Sequence, residues 1–262
     1  MNSIRELDLK YRRRSWFWHR HLRAPWPFLH WRDGTLLNSD KTVSPQTIEA
    51  LRALMRTGAR FTLATGRIYR AAKRYADQIG ITTPLICCNG AVIVDPSTDA
   101  LLYGAPIPAT IGRQVLEIAR RYDVYFHLYD KDTIYSERME KLIAYFQRIS
   151  MDYPPEHRVR TELVPDAMAL FDQTDVYKIG FHYDNSERSA AMRQEIEAIE
   201  GITGYKSLDT IYDVLMQGVN KGTALERLCD PAAEVSAHYL IDEGGAVECG
   251  EFMREFVQQQ ED

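Results

Sequence analysis

Between Ser44 and Cys88 the chain alternates between two hydrophobic rhythms, and nothing else in it constrains the fold as much. Ile48, Leu51, Leu54 and Met55 recur at helical spacing. Ser44 followed by Pro45 reads as an N-cap with proline in the first turn, and Gly58 as a stop. The short apolar run Phe61 to Ala64 reads as a strand. Ile68 to Gln78 reads as a second helix ending near Gly80, and Leu85 to Cys88 as the next strand. Parallel strands cannot be joined by a tight turn, so a helix between two strands implies a parallel sheet with helices on its faces. The expected class is α/β.

Past Ala91 the rhythm changes. Ala91 to Val94 and Leu101 to Tyr103 flank a Pro-Ser-Thr-Asp turn and predict a hairpin. Pro108 to Tyr122 is helical, with Ile111, Val115 and Ile118 on one face; Glu137 to Ile149 and Ser186 to Ile199 are the next helices. Strands are expected at Val124 to Tyr129, Thr133 to Tyr135 and Val176 to His182. This is an α+β layer inserted into the parallel domain. The expected division is an arm at 1–26, a core made of 27–90 and 206–262, and an inserted cap at 91–205. Tyr205 to Leu215 is expected to lead the chain back to the core.

Composition sets outer limits. A chain of 262 residues with 45% hydrophobic and 26% charged side chains is a globular protein. Its net charge of −5 gives no reason to expect nucleic-acid binding over the whole surface. No apolar run approaches the ~20 residues that cross a bilayer, and the N-terminus lacks the basic-then-apolar order of a secretory leader. Cys87, Cys88, Cys229 and Cys249 match no zinc spacing and are expected to be reduced thiols in a cytoplasmic protein. Tyr11 to Trp31 collects Trp, His and Arg around Pro25 and Pro27. It reads as a loosely docked basic arm, or as an arm that binds phosphate or nucleic acid through Arg and stacked Trp.

Four short stretches carry chemistry. Asp33-Gly34-Thr35-Leu36-Leu37 follows a short apolar run, and Arg60 to Arg67 is a strand ending in Thr65-Gly66-Arg67. Pro84 to Ala91 is a strand ending in Asn89-Gly90-Ala91, and Gly218 to Leu225 contains Asn220-Lys221-Gly222. In this order and at these spacings they resemble the haloacid dehalogenase (HAD) superfamily, and within it the Cof-type phosphatases. The resemblance covers roughly Pro27 to Cys229. It implies a HAD-like parallel core with an inserted α+β cap. It also implies magnesium-dependent hydrolysis of small phosphorylated metabolites, sugar phosphates foremost, through an aspartyl-phosphate.

By that resemblance Asp33 is the general acid/base and a metal ligand, while Thr65 and Lys221 hold the phosphoryl oxygens. Arg67 and Asn89 face the substrate, and Asp242 holds Mg2+. Each residue also has a plainer reading: Asp33 and Asn89 as turn residues, Thr65 as a strand-end hydroxyl, and Lys221 as an exposed helix-start lysine. Arg67 could pair with a surface carboxylate, and Asp242, with Glu243 and Glu248, could belong to a solvated acidic stretch. The chain departs from the family pattern in two places. Trp31 stands where the nucleophilic Asp of Asp-x-Asp belongs, and Gly245-Ala246 stands where the last motif has Asn-Asp. An indole cannot attack phosphorus. Three readings therefore stand beside the phosphatase: a non-catalytic phosphate- or metabolite-binding protein, an active family member whose atypical terminal segments come from a reading-frame slip, and a shifted register in which Asp33 is the nucleophile. No strand is legible before Asp33 or after Asp242, so the core sheet is expected to fray at both ends.

Overall fold

A computed structural model describes residues 28–31, 36–38, 40–58, 60–208, 210–228 and 239–241. The chain falls into two compact units, residues 62–228 and the segments on either side of them.

In the flanking unit, α1 (Pro45–Arg56) begins as its sequence predicts. Ser44 is extended and its hydroxyl accepts the Thr47 N–H at 3.0 Å, satisfying one of the helix's unpaired first-turn donors. Leu51 and Leu54 are fully buried, and Gly58 takes a left-handed φ of 92° just past the end. A strand is present before Asp33, whereas the residues after Asp242, where no further strand is legible in the sequence, lie outside the described residues. Phe28–Trp31 forms β1 and Tyr239–Ile241 forms β12. The two pair in parallel, Leu29 with Tyr239 and Trp31 with Ile241, in a sheet ordered β12–β1–β2 with β2 at Arg60–Leu63. Runs of three and four residues are too short to show a hydrophobic period, so the pairing is set by tertiary context.

In residues 62–228, the strand–helix–strand unit appears as expected. β2 is followed by α2 (Tyr69–Ile79), which stops at Gly80 with φ 94°, and then by β3 (Leu85–Cys87). A single parallel bridge joins Ala64 to Ile86. The predicted hairpin is β4 (Val92–Val94) and β5 (Leu101–Gly104), and it continues antiparallel from β3. Asp95 makes its turn by accepting the Ser97 N–H at 2.8 Å.

The inserted layer is a six-stranded sheet. It contains β6 (Phe126–Tyr129), β7 (Thr133–Ser136), β8 (Arg160–Leu163), β9 (Lys178–His182), β10 (Ile202–Leu208) and β11 (Ile211–Met216), ordered β10–β11–β9–β6–β7–β8. Its helices are α3 (Ala109–Arg121), α4 (Lys141–Ser150) and α5 (Glu187–Glu197). One sheet face, with Leu128, Ile179, Phe181 and Val214, packs with Val115 and Leu116 of α3 and Met192 and Ile196 of α5 in one apolar cluster. Tyr205 to Leu215 does not lead back to a core strand; it lies in the β10–β11 hairpin of this sheet. β8 escaped the sequence because Arg-Thr-Glu-Leu is largely exposed and carries no alternation. α2 is tied to the inserted layer. Arg70 Nε donates to Asp132 Oδ1 at 2.8 Å, and His157 Nε2 lies 2.7 Å from Asp77 Oδ2. Among the described residues no helix is long and apolar enough to cross a membrane.

Candidate functional site

Thr65, Arg67, Asn89 and Lys221 all lie in residues 62–228, where backbone geometry gathers three of the four motif segments. Asp33 and Asp242 lie outside the described residues. β2 runs into Ala64, and the next N–H, that of Thr65, donates to Ile86 O at 2.9 Å. The chain then turns, and Thr65 Oγ1 accepts the Arg67 N–H at 3.1 Å. Two backbone bonds lace this turn to the end of β3: Cys88 N–H to Arg67 O and Asn89 N–H to Thr65 O, both at 2.9 Å. Asn89 is left-handed at φ 58°, a conformation asparagine tolerates better than most residues.

Gly90, at φ 103°, shows why the third segment lies here. A Cβ at Gly90 would strike the Asn220 carbonyl and come within 3.0 Å of Lys221 N. The backbone entering α6 (Lys221–Leu228) thus rests directly on the Asn89–Gly90 turn. Asn220 caps that helix reciprocally: its Oδ1 accepts from Thr223 N–H at 3.0 Å, and Thr223 Oγ1 accepts from Asn220 N–H at 3.1 Å. The segments carrying Thr65, Asn89 and Lys221 are therefore neighbours. Asn89 serves the turn and is also built into a side-chain network. The Arg67 guanidinium lies 5.6 Å from the centroid of the Tyr75 ring on α2.

No sequence motif marks what stands behind these turns. In β9 alternation puts Lys178, Gly180 and His182 on the face opposite Ile179 and Phe181. Registers align His127 of β6, Gly180 of β9 and Asp213 of β11 in one row across three strands. Lys178 is 3% exposed and Asp213 1%. The Lys178 ammonium donates to Gly66 O at 2.8 Å, stands 3.5 Å from Asp213 Oδ2 and lies 4.1 Å from the centroid of the Tyr129 ring. Asp213 Oδ2 accepts Asn89 Nδ2 at 2.9 Å. The available signal was a Lys and an Asp inside otherwise apolar strands, since such charges are buried only when paired.

Electrostatics follow from this burial. Desolvation works against the Lys178 ammonium, but the Asp213 carboxylate prevails and the net shift is upward. His127 is pulled down to about 3, by burial first and then by the positive charge of Lys178, so the ring is neutral. Burial pushes the Cys88 thiol up to about 12, which makes it an inert structural group. Cys87 and Cys88 are both buried and unbridged.

Asp33 and Asp242, the residues that the resemblance assigns to magnesium, lie outside the described residues. Mg2+ takes oxygen ligands. Trp31, Gly245 and Ala246 offer no side-chain oxygen where the pattern has carboxylates or an amide. Among the described residues no group of three or more His, Cys, Asp or Glu could hold a metal.

Residues 32–236 match the family described as haloacid dehalogenase-like hydrolase. The chain belongs to that family. It is 26% identical over 196 residues to pyridoxal phosphate phosphatase YbhA of Escherichia coli, covering 74% of this chain and 72% of the relative. It is 30% identical over 196 residues to HMP-PP phosphatase of Yersinia pseudotuberculosis, covering 75% and 68%. A haloacid dehalogenase-like hydrolase from B. subtilis superposes with a TM-score of 0.69 at 22% identity, covering 86% of each chain. The fold is accordingly the HAD-like α/β fold with its inserted α+β layer.

Proposed function

We propose that this chain is a HAD-type phosphate-handling protein. It would hold the phosphoryl group of a small phosphorylated metabolite against Thr65, Lys221 and the surrounding backbone. In this reading the inserted layer from Ala91 to about Met216 is the cap over the pocket. One observation carries the proposal: the turn after β2, the turn after β3 and the start of α6 are held side by side by backbone bonds and by Gly90. Phosphoryl transfer depends mainly on positioning and on neutralising the phosphoryl oxygens. Lys221 would supply a point charge and Thr65 a hydroxyl. By resemblance Asp33 would protonate the leaving alcohol and later activate water. The attacking carboxylate is what the chain lacks, because Trp31 stands at its place.

The relatives' names support a small phosphorylated metabolite as substrate, and the Cof-type resemblance favours sugar phosphates. Titration calorimetry of the whole chain with inorganic phosphate, glucose 6-phosphate and pyridoxal phosphate tests the pocket. The expected result is phosphate binding that weakens at least tenfold in Lys221→Ala, about the loss of one charge-assisted bond. Binding unaffected by both Thr65→Val and Lys221→Ala would overturn the assignment.

A further inference from the structure

We propose that the buried Lys178–Asp213 pair is a positioning device for the phosphate pocket, Lys178 fixing the Thr65–Arg67 turn through Gly66 O and Asp213 fixing the Asn89 side chain. The proposal rests on the phosphate-pocket reading above and assigns two residues to it that no motif contains.

Taking a lysine and an aspartate out of water is expensive, and their replacement by apolar residues is often neutral for stability. Burial at 3% and 1% exposure therefore calls for a geometric role. The partners supply one. An ammonium has three N–H donors. Around Lys178 stand the Gly66 carbonyl at 2.8 Å, the Asp213 carboxylate at 3.5 Å and the Tyr129 ring face at 4.1 Å. Its shortest bond is thus to the middle residue of the Thr65–Arg67 turn. Asp213 makes its shortest bond to Asn89 Nδ2, at 2.9 Å. The other end of that amide then lies over Gly66, where a Cβ would sit only 2.7 Å from Asn89 Oδ1. Lys178, Asp213, Asn89 and Gly66 form a closed ring of contacts that joins both motif turns to the floor of the inserted sheet. Gly180 makes room for it, since a side chain there would collide with His127 Nε2 and crowd Asp213 Oδ1. Neither Lys178 nor Asp213 reaches the surface, so they act on phosphate through the turns they hold.

The test uses the whole chain with Lys178→Met, which keeps length without charge, and Lys178→Met/Asp213→Asn, which leaves no unpaired buried charge. Three quantities are measured: thermal midpoint, the dissociation constant for inorganic phosphate, and hydrogen exchange of peptides covering 62–94 and 109–121. The expected result is a near-parental midpoint in the double variant, phosphate affinity about tenfold weaker, and faster exchange in 62–94 with 109–121 unchanged. Lys178→Arg, which keeps the donors, should recover part of the affinity. Folded variants that bind phosphate like the parent, or that show parental exchange in 62–94, would overturn the proposal. If the parent binds no phosphate, or neither Thr65→Val nor Lys221→Ala weakens binding, the pocket reading fails. The exchange pattern then still decides whether the pair holds the turns.

Discussion

Single atoms at this site have large consequences where backbone and side chain meet without slack. Gly66→Ala places a methyl 2.7 Å from Asn89 Oδ1, a side chain already bonded to Asp213. Relief requires Asn89 to leave that bond, so the substitution should cost about 1–3 kcal/mol, as overpacking does. Urea unfolding measures this, and an unchanged midpoint would show that Asn89 is not fixed. His127 gives a pH signature. Its pKa of about 3 in the folded chain lies below the ~6.5 of an unfolded histidine. Between those values the unfolded chain holds a proton that the native one does not, so acidification favours unfolding. The contribution is intact above pH ~6.5 and is lost progressively towards pH 3, amounting to about 2 kcal/mol between pH 7 and pH 5. His127→Gln should lose that much less stability over the same interval than the parent. Equal losses would mean that the ring is protonated or solvated in the native state.

Elements divide into those whose local chemistry specifies them and those that need a neighbour. α1 is of the first kind, with Ser44 as cap, Pro45 in the first turn and Gly58 beyond the end. Ser44→Ala leaves the Thr47 N–H without its acceptor and should lower unfolding free energy by about 1 kcal/mol. A change below a few tenths would mean that water replaces the cap. The same legibility extends to α2 with Gly80, to the β4–β5 hairpin, and to α3 and α5 with their apolar stripes. The edge of the inserted sheet was not legible. β8 is exposed, and β10–β11 contains Asp213 and Tyr212, which periodicity cannot assign to a layer without knowing what faces them. For the candidate site, the family resemblance singles out Thr65, Asn89 and Lys221, and the structure brings their backbone segments together. Lys178 and Asp213 could not be read from the sequence, because the Gly66 and Asn89 groups that justify their burial lie far away in sequence.

At the scale of the whole molecule, the family fold is present, and by the resemblance Trp31 stands at the position of the family nucleophile. β1 exists and ends on Trp31, paired in parallel with Ile241 of β12. The backbone thus provides a strand end at position 31, where the resemblance would have a carboxylate. The chain as written should show little or no magnesium-dependent hydrolysis of p-nitrophenyl phosphate, because removing a covalent nucleophile costs several powers of ten in rate. Inorganic phosphate should still bind, and binding should survive chelation by EDTA, since Thr65, Lys221 and backbone amides need no metal. Trp31→Asp restores an oxygen nucleophile and an oxygen ligand together. With β1 already in place it should raise turnover by orders of magnitude, and chelator should abolish the gain. Turnover still at background in a folded Trp31→Asp protein would place the defect at Gly245-Ala246, where the pattern has its further metal-binding residues. Robust hydrolysis by the unaltered chain, abolished by Asp33→Asn, would instead make Asp33 the residue that forms the phosphoenzyme. Mass spectrometry of the acid-quenched, phosphorylated chain would then locate the acyl phosphate on Asp33.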